Sequence, residues 1–377
     1  MDINNDNRKD PHASESETNH PVETGATKES SHTPNPKKKK SKKRIVILSV
    51  ILAIAIIITA VGVAACSVIT HYMNRIGRTD GNSIDIVPPE DEVFEFEGFE
   101  TVPDDMSEDD LPEDVRVLQP EDIEWSDIEA LNDDDLINIL LIGNDYRDGY
   151  YARRSDSIIL CSINPELGRI VIISLMRDMY LQIPGYSDNI LNASFNFGGI
   201  PLLEETITKN FGVSIDGSVE VGLDQFMNVI DTVGGVDIYI TEAEAAAIGS
   251  AESGTVHMDG NLAKKYASLR RIDSDFSRTE RQRKVISAIY TKAKSQSLSQ
   301  LLDLADELLP SLITNMSNTE ILRLLIKCYP LIGSTELEQY RLPPDGGYER
   351  AVIRGLFVLV PDLDKCREAL NTYLPLE

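Results

Sequence analysis

One uncharged apolar run constrains this chain more than any other feature. Residues 45–70 form 26 successive positions without a charge, and about 20 apolar residues suffice to cross the hydrocarbon core of a bilayer. The basic stretch "KKKKSKKR" directly precedes the run, whereas few cations follow it. Because cytoplasmic flanks are enriched in Lys and Arg, the pattern predicts one transmembrane helix at 44–70 with a cytoplasmic N-terminus. Everything after it is expected to lie outside the cell membrane.

A second interpretation of the same run stays open. The letters "VAAC" at 63–66 resemble a lipoprotein cleavage box that ends in Cys66. The long polar segment before the apolar run and the length of the run itself favour an uncleaved anchor over a signal peptide. Under either interpretation, the rest of the chain is tethered to the membrane.

Composition divides the remainder of the 377 residues into unequal parts. Residues 1–43 are polar and end in the basic cluster, so they are predicted to be a disordered cytoplasmic tail. Residues 78–135 hold 23 acidic residues against two basic ones, with five interspersed prolines. Such a segment repels itself, so 71–135 is predicted to be an acidic extracytoplasmic linker. The catalytic domain would then span 136–377.

Cysteine and histidine offer little catalytic chemistry. Three cysteines lie in the domain, and Cys161 sits in the apolar run "IILCSI", which indicates a buried free thiol. A bridge between Cys328 and Cys366 remains open, and the spacing is not that of a zinc site. His257 is the one histidine of the predicted domain, and a lone histidine is more often structural.

The hydrophobic pattern of the domain predicts an α/β fold. The runs "INILLIG", "SIILCSI" and "RIVIISL" are nearly continuous in Ile, Leu and Val, which is typical of strands buried on both faces. Helical patterns alternate with these and later strands. We therefore expect a three-layer sandwich with a mixed central β-sheet flanked by helices, preceded by the transmembrane helix.

Arginine and aspartate recur at the ends of the three predicted strands. Carboxylate oxygens are ligands that Mg²⁺ prefers, and guanidinium groups bind phosphate through paired donors. Ligands of open α/β sheets bind beyond the strand ends, so the recurrence predicts a site for an anion with its metal. The pairs are Asp145 with Arg147, Arg154 with Asp156, and Arg177 with Asp178.

A fourth group of cations lies at the head of a predicted helix, "DSDFSRTERQRKVISAIY" at 273–290. Ser277 followed by Glu280 has the spacing of a capping box, so we expect the helix to begin at Arg278. Unpaired N–H groups and arginines at a helix N-terminus favour an anion such as phosphate. A solvated, charged helix is the alternative.

Six blocks, in order and spacing, resemble the LytR-CpsA-Psr family of cell-envelope proteins. The family typically has one N-terminal span and an external catalytic domain. The resemblance extends over 137 to about 295, and the terminal "FVLVPDLDKCREAL" is similar to the usual family end. The blocks are "NILLIGNDYR", "RSDS", "VIISLMRDMYLQIPGY", "LNASFNFGG", "VEVGLDQFMNVIDTVGGVDIYI" and "DSDFSRTERQR".

The resemblance implies a phosphotransferase-type glycopolymer–peptidoglycan ligase. Such an enzyme moves an anionic glycopolymer, of teichoic acid or capsular type, from an undecaprenyl-pyrophosphate carrier to peptidoglycan and forms a phosphodiester with the help of Mg²⁺. By motif position, Asp145 and Asp156 would hold the metal, and Arg177 and Asp178 would be catalytic. The pyrophosphate would be bound by Arg147, Arg154, Asn192, Arg270, Arg278, Arg281 and Gln282.

This sequence departs from the family pattern at several positions. Met176 and Met179 stand where the family has proline and threonine, while Ile190 and Ser268 replace cations. A membrane-anchored, non-catalytic binder of prenyl-pyrophosphate lipid is therefore an alternative function. An envelope-related transcriptional attenuator is another, but the short tail has no DNA-binding element, and its basic run suits anionic lipid headgroups. We expect no nucleic-acid partner.

Overall fold

The computed structural model of the chain describes most of the predicted domain and parts of the segment before it. All described residues belong to one compact unit, Val63–Glu377. The described residues are 67–68, 70–71, 73–79, 101–103, 110–131, 135–144, 155–270, 272–297, 299–300, 303, 306, 309–331 and 335–376.

Strands and helices alternate along this unit. The strands are β1 Gly77–Arg78, β2 Val115–Val117, β3 Ile137–Asn144, β4 Ser155–Asn164, β5 Arg169–Leu175, β6 Tyr180–Leu181, β7 Asn189–Ile190, β8 Gly217–Gly222, β9 Val236–Ile240, β10 Gly254–Met258, β11 Ile313–Thr314, β12 Leu337–Leu342, β13 Tyr348–Ile353 and β14 Leu356–Pro361. The α-helices are α1 Leu191–Phe211, α2 Leu223–Thr232, α3 Glu242–Ile248, α4 Gly260–Ala267, α5 Asp275–Lys294, α6 Asn318–Cys328 and α7 Leu363–Tyr373.

Seven strands form the central sheet in the order β1-β11-β8-β3-β4-β5-β12. Strand β3 runs parallel to β8 and antiparallel to β4, and β5 is antiparallel to β4 but parallel to β12. The predicted mixed sheet is thus confirmed. A smaller sheet, β14-β13-β2, and the β9–β10 hairpin flank it.

The central sheet is buried on both faces because alternate side chains of its strands enter different cores. Leu140 and Ile142 pack with residues of α1 and α7 in the largest core. Ile139, one position away, packs with Ile321 of α6 on the opposite face, and Tyr290 of α5 packs there as well. Successive strand residues point to opposite faces, so the sheet has one helical layer on each side.

The β9–β10 hairpin lies over its own smaller core. Ile238 and Met258 from the two strands pack with Ile230 of α2, Tyr266 of α4 and Val285 of α5. Helix α5 therefore joins this core to the central sheet. Its N-terminal turn lies beside the end of β5, where Thr279 Oγ1 donates to the sulfur of Met176 at 3.8 Å.

The acidic linker predicted at 71–135 is too long. Strand β1 pairs with β11 and β2 pairs with β13, and Trp125 Nε1 donates to Asp188 at 2.8 Å. These segments fold onto the domain because their apolar side chains, such as Met73 and Val115, become buried. The charge count concealed this, since the acidic residues between them remain at the surface or lie outside the described residues.

Two further expectations concern helices. Within the described part of the chain, no helix combines the length and apolar character needed to cross a membrane; the run at 44–70 lies outside that part apart from 67, 68 and 70. The helix expected to begin at Arg278 begins three residues earlier, at Asp275, with Ser274 at its N-cap. The capping-box spacing was therefore misleading, and Asp275 occupies the first turn.

Candidate active site

The register of the sheet brings the polar strand ends together. Leu175, the last residue of β5, pairs with Ile158 of β4, and Asn144 at the end of β3 pairs with Ser155. Because β4 is antiparallel to both neighbours, its first residues lie beside the last residues of β3 and β5. Asp156 and Arg177 consequently meet at one edge of the sheet.

Arg177 contacts side chains from two other elements at this edge of the sheet. Its side chain is 7% exposed; Nη1 donates to Asp156 Oδ1 at 2.5 Å, and Nε donates to Asp275 Oδ2 at 3.4 Å. Arg270 Nη2 reaches the same Asp156 oxygen at 3.5 Å. The guanidinium is thereby fixed between two carboxylates from separate elements, with a second arginine beside it.

Arg278 completes this group, which we call the central cluster: Asp156, Arg177, Arg270, Asp275 and Arg278. Nη2 of Arg278 donates to Asp275 Oδ2 at 2.9 Å, and the side chain is 2% exposed. Burial, and next the charge of Arg177, lower the pKa of Arg278 to about 10. Among the described residues, its Nε and Nη1 have no acceptor. Two enclosed donors thus have unused hydrogen-bonding capacity, which an anion would satisfy.

Asp178, predicted to be catalytic, lies directly behind the cluster. Burial, assisted by the charge of Asp275, raises the pKa of its carboxyl to about 6. Oδ1 is enclosed and has no donor in the described part of the chain. The backbone carbonyl of Asp178 accepts from Leu359 N at 3.0 Å, which fixes the residue to β14. Asp178 is therefore a carboxyl that can change protonation near neutral pH.

Asn192, predicted to bind pyrophosphate, lies in the first turn of α1 and makes hydrogen bonds to the start of β4. Its Oδ1 accepts from the backbone N and the hydroxyl of Ser155 at 3.2 and 3.0 Å. Its own backbone N donates to Arg177 O at 3.1 Å. The first turn of α1 thus connects the start of β4 with Arg177, the second residue after β5.

Arg281 does not join the central cluster. Its Nη1 donates to Leu269 O at 3.0 Å, Nη2 donates to Asp273, and Nε lies 3.4 Å from Glu244 Oε1. The side chain is 1% exposed. Arg281 therefore connects α3 and the loop before α5, and its geometry is that of a structural ion pair.

The remaining predicted residues are distributed as follows. Gln282 follows Arg281 on α5, and its Oε1 is enclosed with no donor among the described residues. Asp145, Arg147 and Arg154 lie outside the described residues. Their placement at the site stays a prediction.

Asp275 was absent from the predicted set, yet it bonds both Arg177 and Arg278. Its position in the first turn of α5 places its carboxylate at the positive end of the helix dipole. The sequence signal was the second aspartate of "DSDF", which lies three residues before Arg278 and thus on the same helix face. The misplaced helix start obscured that relationship.

The carboxylates at this site are of the chemical type that binds Mg²⁺. The described residues supply only some of the ligands that such an ion needs. Asp156 offers a carboxylate whose Oδ1 is engaged by Arg177, and Asp275 lies close by. No group of three or more potential metal ligands occurs within the described ranges. Hard carboxylate oxygens agree with the chemistry of Mg²⁺, which usually takes one or two of them.

Two departures from the family pattern serve packing. Met176 and Met179 are 1% and 0% exposed and belong to the main core, and Met176 contacts Thr279 of α5 through its sulfur. Ile190 is fully buried in β7, whereas Ser268 is exposed at the end of α4. Met176 therefore contacts α5 directly beside Arg177, and Met179 fills the main core.

A family model described as the LytR_cpsA_psr family matches residues 96–372. A relative from Oceanobacillus iheyensis, named polyisoprenyl-teichoic acid–peptidoglycan teichoic acid transferase TagU, is 36% identical over 171 residues, 43% of this chain and 53% of the relative. A protein of that name from Bacillus mycoides is 32% identical over 235 residues, 61% of this chain and 75% of the relative. This chain thus spans about half of the first relative and three quarters of the second.

Two solved structures have a similar fold. The structure of TagT bound to LIIa-WTA superposes with a TM-score of 0.54 at 25% identity, covering 64% of this chain and 90% of that one. The crystal structure of B. subtilis TagV gives 0.53 at 24% identity, covering 65% and 100%. The second likeness supports the fold alone.

Proposed function

We propose that this chain, which belongs to the LytR-CpsA-Psr family, is a transferase that moves an anionic glycopolymer from a polyprenyl-pyrophosphate carrier to peptidoglycan. Relatives that carry the name teichoic acid transferase support a polymer of teichoic acid type. A capsular polysaccharide is the other polymer class consistent with the motifs.

The observation that carries the proposal is Arg177 between Asp156 and Asp275, with Arg278 beside it. Two guanidinium nitrogens of Arg278 have no acceptor in the part of the chain that the structure describes. An arginine fixed by carboxylates presents its charge without reorganisation when a phosphoryl group arrives. A bound phosphoryl group would also stabilise the charge of Arg278, because that charge is buried and close to that of Arg177. The cluster thus favours a bound pyrophosphate.

The proposed reaction is attack at phosphorus. A hydroxyl oxygen of the peptidoglycan acceptor forms a bond to the polymer-linked phosphorus, and the bond from that phosphorus to the bridging pyrophosphate oxygen breaks. Polyprenyl phosphate leaves with the electron pair, and the hydroxyl proton must be accepted by a base. Little covalent assistance is required, so positioning and charge stabilisation by arginines dominate. Asp178, the neighbour of Arg177 with a raised pKa, would receive the proton.

Mg²⁺ remains part of the proposal. Asp156, and Asp145 by motif, would hold it, and when bound it would neutralise the phosphate oxygens. Arg177 and Arg270 would keep the Asp156 carboxylate oriented, since both donate hydrogen bonds to its Oδ1.

The proposed location is the cell membrane, single-pass, with the catalytic domain outside. The apolar run at 44–70 and the preceding basic cluster support it. A lipid-linked substrate in the outer leaflet would then be close to the domain. The partners are the undecaprenyl-pyrophosphate-linked glycopolymer, peptidoglycan and the membrane.

The test is transfer by the purified full chain in vesicles. A short, labelled prenyl-pyrophosphate glycan and peptidoglycan fragments are supplied, and labelled polymer bonded to the fragments is measured. Appearance of the product in the parent and its loss in Arg177→Ala would support the function. Tight binding of the lipid without product would instead favour the non-catalytic lipid binder.

A further inference from the structure

A second buried arginine of α5 is not used by the central cluster. Arg283 lies five residues after Arg278, which places it about 140° around the helix and about 7.5 Å along it. Its side chain is 7% exposed. Within the described residues, no acceptor reaches its Nε or Nη1, and both atoms are enclosed. A buried guanidinium in this state lacks compensation for its lost hydration.

The elements packed against Arg283 supply further hydrogen-bond donors. Phe276, seven residues earlier on α5, shares its face, and the guanidinium of Arg341 on β12 lies 4.3 Å from the Phe276 ring centre. Ser174 of β5 is the register partner of Arg341. Its hydroxyl is buried, and no partner for Oγ is present in the described part of the chain. The charge of Arg341 also acts on Arg283, so the two cations lie near each other, with the Ser174 hydroxyl on the strand next to Arg341.

The two carboxylates nearest to this position in the chain are at the surface. Glu280 forms an ion pair with Lys284 at 2.8 Å, and both side chains are largely exposed. Asp345 pairs with Arg341 and is 94% exposed. Burial, opposed by the charge of Glu280 and assisted by that of Arg341, lowers the pKa of Arg283 to about 10. The local charge is thus not balanced by a buried acid.

We propose that Arg283, Arg341 and Ser174 form a second oxyanion site, which takes a phosphate group, on the far side of α5 from the central cluster. Paired guanidinium donors match the oxygen geometry of phosphate, and Ser174 adds a hydroxyl donor. The ring of Tyr348 lies 5.4 Å from that of Phe276, so an apolar surface adjoins the site. Binding compensates the charge of Arg283.

The site goes beyond the transfer reaction and does not depend on it. Its phosphate has two possible sources, a free phosphate ion or a phosphate of the glycopolymer. A polymer phosphate would hold the chain of repeats against the face of α5 that points away from the central cluster. A free ion would stabilise the packing of α5 on β5 and β12.

The test measures thermal unfolding of the full chain in detergent as inorganic phosphate is added, with sodium chloride at matched ionic strength as the reference. Arg283→Met should leave the Tm without phosphate unchanged or higher, and should at least halve the phosphate-dependent rise in Tm. Lys284→Met, at the adjacent exposed cation, is the matched control and should respond like the parent. A ligand that binds only the folded state raises Tm by mass action.

A double-mutant cycle separates the two sites. Losses of the phosphate response in Arg278→Met and Arg283→Met should add in the double variant, because the side chains lie on different faces of α5. Losses that do not add would assign both arginines to one site and overturn the proposal. Should Arg283→Met fail to fold, Arg341→Met and Ser174→Ala provide the same comparison.

Two probes distinguish the sources. A response to inorganic phosphate that depends on Arg283 identifies a free ion, and a response confined to a soluble glycerol phosphate oligomer identifies the polymer. An equal response of the parent and Arg283→Met to both probes would contradict the proposed site. So would a fall in Tm without phosphate combined with an unchanged response.

Discussion

Nη1 of Arg177 lies 2.5 Å from Oδ1 of Asp156, so the second residue after β5 is bonded to the second residue of β4. The same guanidinium reaches Asp275 of α5 at 3.4 Å. Three elements therefore fix one planar cation. A compact ammonium group could not make both contacts from one position.

Arg177→Lys keeps the charge but removes the planar group, so we expect the rate of polymer transfer to fall about 10- to 100-fold, the scale of a charged hydrogen bond. The folded domain should persist because Arg278 still pairs with Asp275. Transfer in vesicles measures the effect. Arg323→Lys, on the exposed face of α6, is the matched substitution and should retain full activity. Normal transfer by Arg177→Lys would contradict a fixed guanidinium.

Substitutions of Arg278 and Arg281 should have different effects on stability. Arg281→Met leaves Asp273 and Glu244 without their buried partner, and we expect it to lower the free energy of unfolding by about 3 kcal/mol. Arg278→Met removes a charge that burial and Arg177 already disfavour, so stability should change by less than about 1 kcal/mol. Chemical denaturation measures both. Lipid pyrophosphate binding should weaken at least tenfold in Arg278→Met.

Equal destabilisation by the two substitutions would contradict this division. It would make Arg278 a structural residue and leave Arg177 and Arg270 as the described cations for pyrophosphate.

Asp178 should make stability depend on pH in the acid range. Its folded pKa, about 6, is above the ordinary value of 3.8, so the folded state binds the proton more tightly than the unfolded state. The stability due to protonated Asp178 is complete below about pH 4 and is lost as the pH rises through 6. Asp178→Asn mimics the protonated form. The free energy of unfolding of the variant, relative to that of the parent, should therefore rise by about 2 kcal/mol between pH 4 and 8.

Denaturant unfolding at the two pH values checks this expectation. A difference between variant and parent that does not change with pH would show that the Asp178 carboxyl titrates normally. Transfer by Asp178→Asn should fall, because the amide cannot receive the acceptor proton.

Removal of the Asp156 carboxylate should prevent metal binding. We expect Asp156→Asn to abolish Mg²⁺-dependent transfer and to weaken Mn²⁺ binding, followed by electron paramagnetic resonance, while the protein stays folded through the Arg177–Asp275 contact. Asp364→Asn, a surface carboxylate at the start of α7, is the control. Full transfer by the parent in EDTA would exclude the metal from the proposed reaction.

The proposed topology has its own measurement. Protease added to intact spheroplasts should digest the region after residue 75 and leave the N-terminal tail protected, because the basic cluster is expected on the cytoplasmic side. Antibodies against an N-terminal and a C-terminal tag report the two parts. A protected C-terminal domain would overturn the location and, with it, access to an external acceptor.

The sequence by itself determined the α/β class and the polar ends of the sheet. Continuous apolar runs such as "RIVIISL" require burial on both faces, and a following Arg177 and Asp178 must then lie at the edge of that sheet. The recurrence of Arg and Asp at the strand ends added Asp156, and the family resemblance added Arg270 and Arg278 to the same site. These inferences depend on local pattern and chain order, which the sequence states directly.

Only the tertiary structure decided which cations share a site. Arg278 and Arg281 are three residues apart in one charged helix turn, yet Arg278 meets Asp275 and Arg177, whereas Arg281 meets Glu244 of α3 and Leu269 O. Arg283 faces β12 instead. Partners from distant segments determine each role, since a charge is stabilised by the groups around it in space and not by its neighbours along the chain.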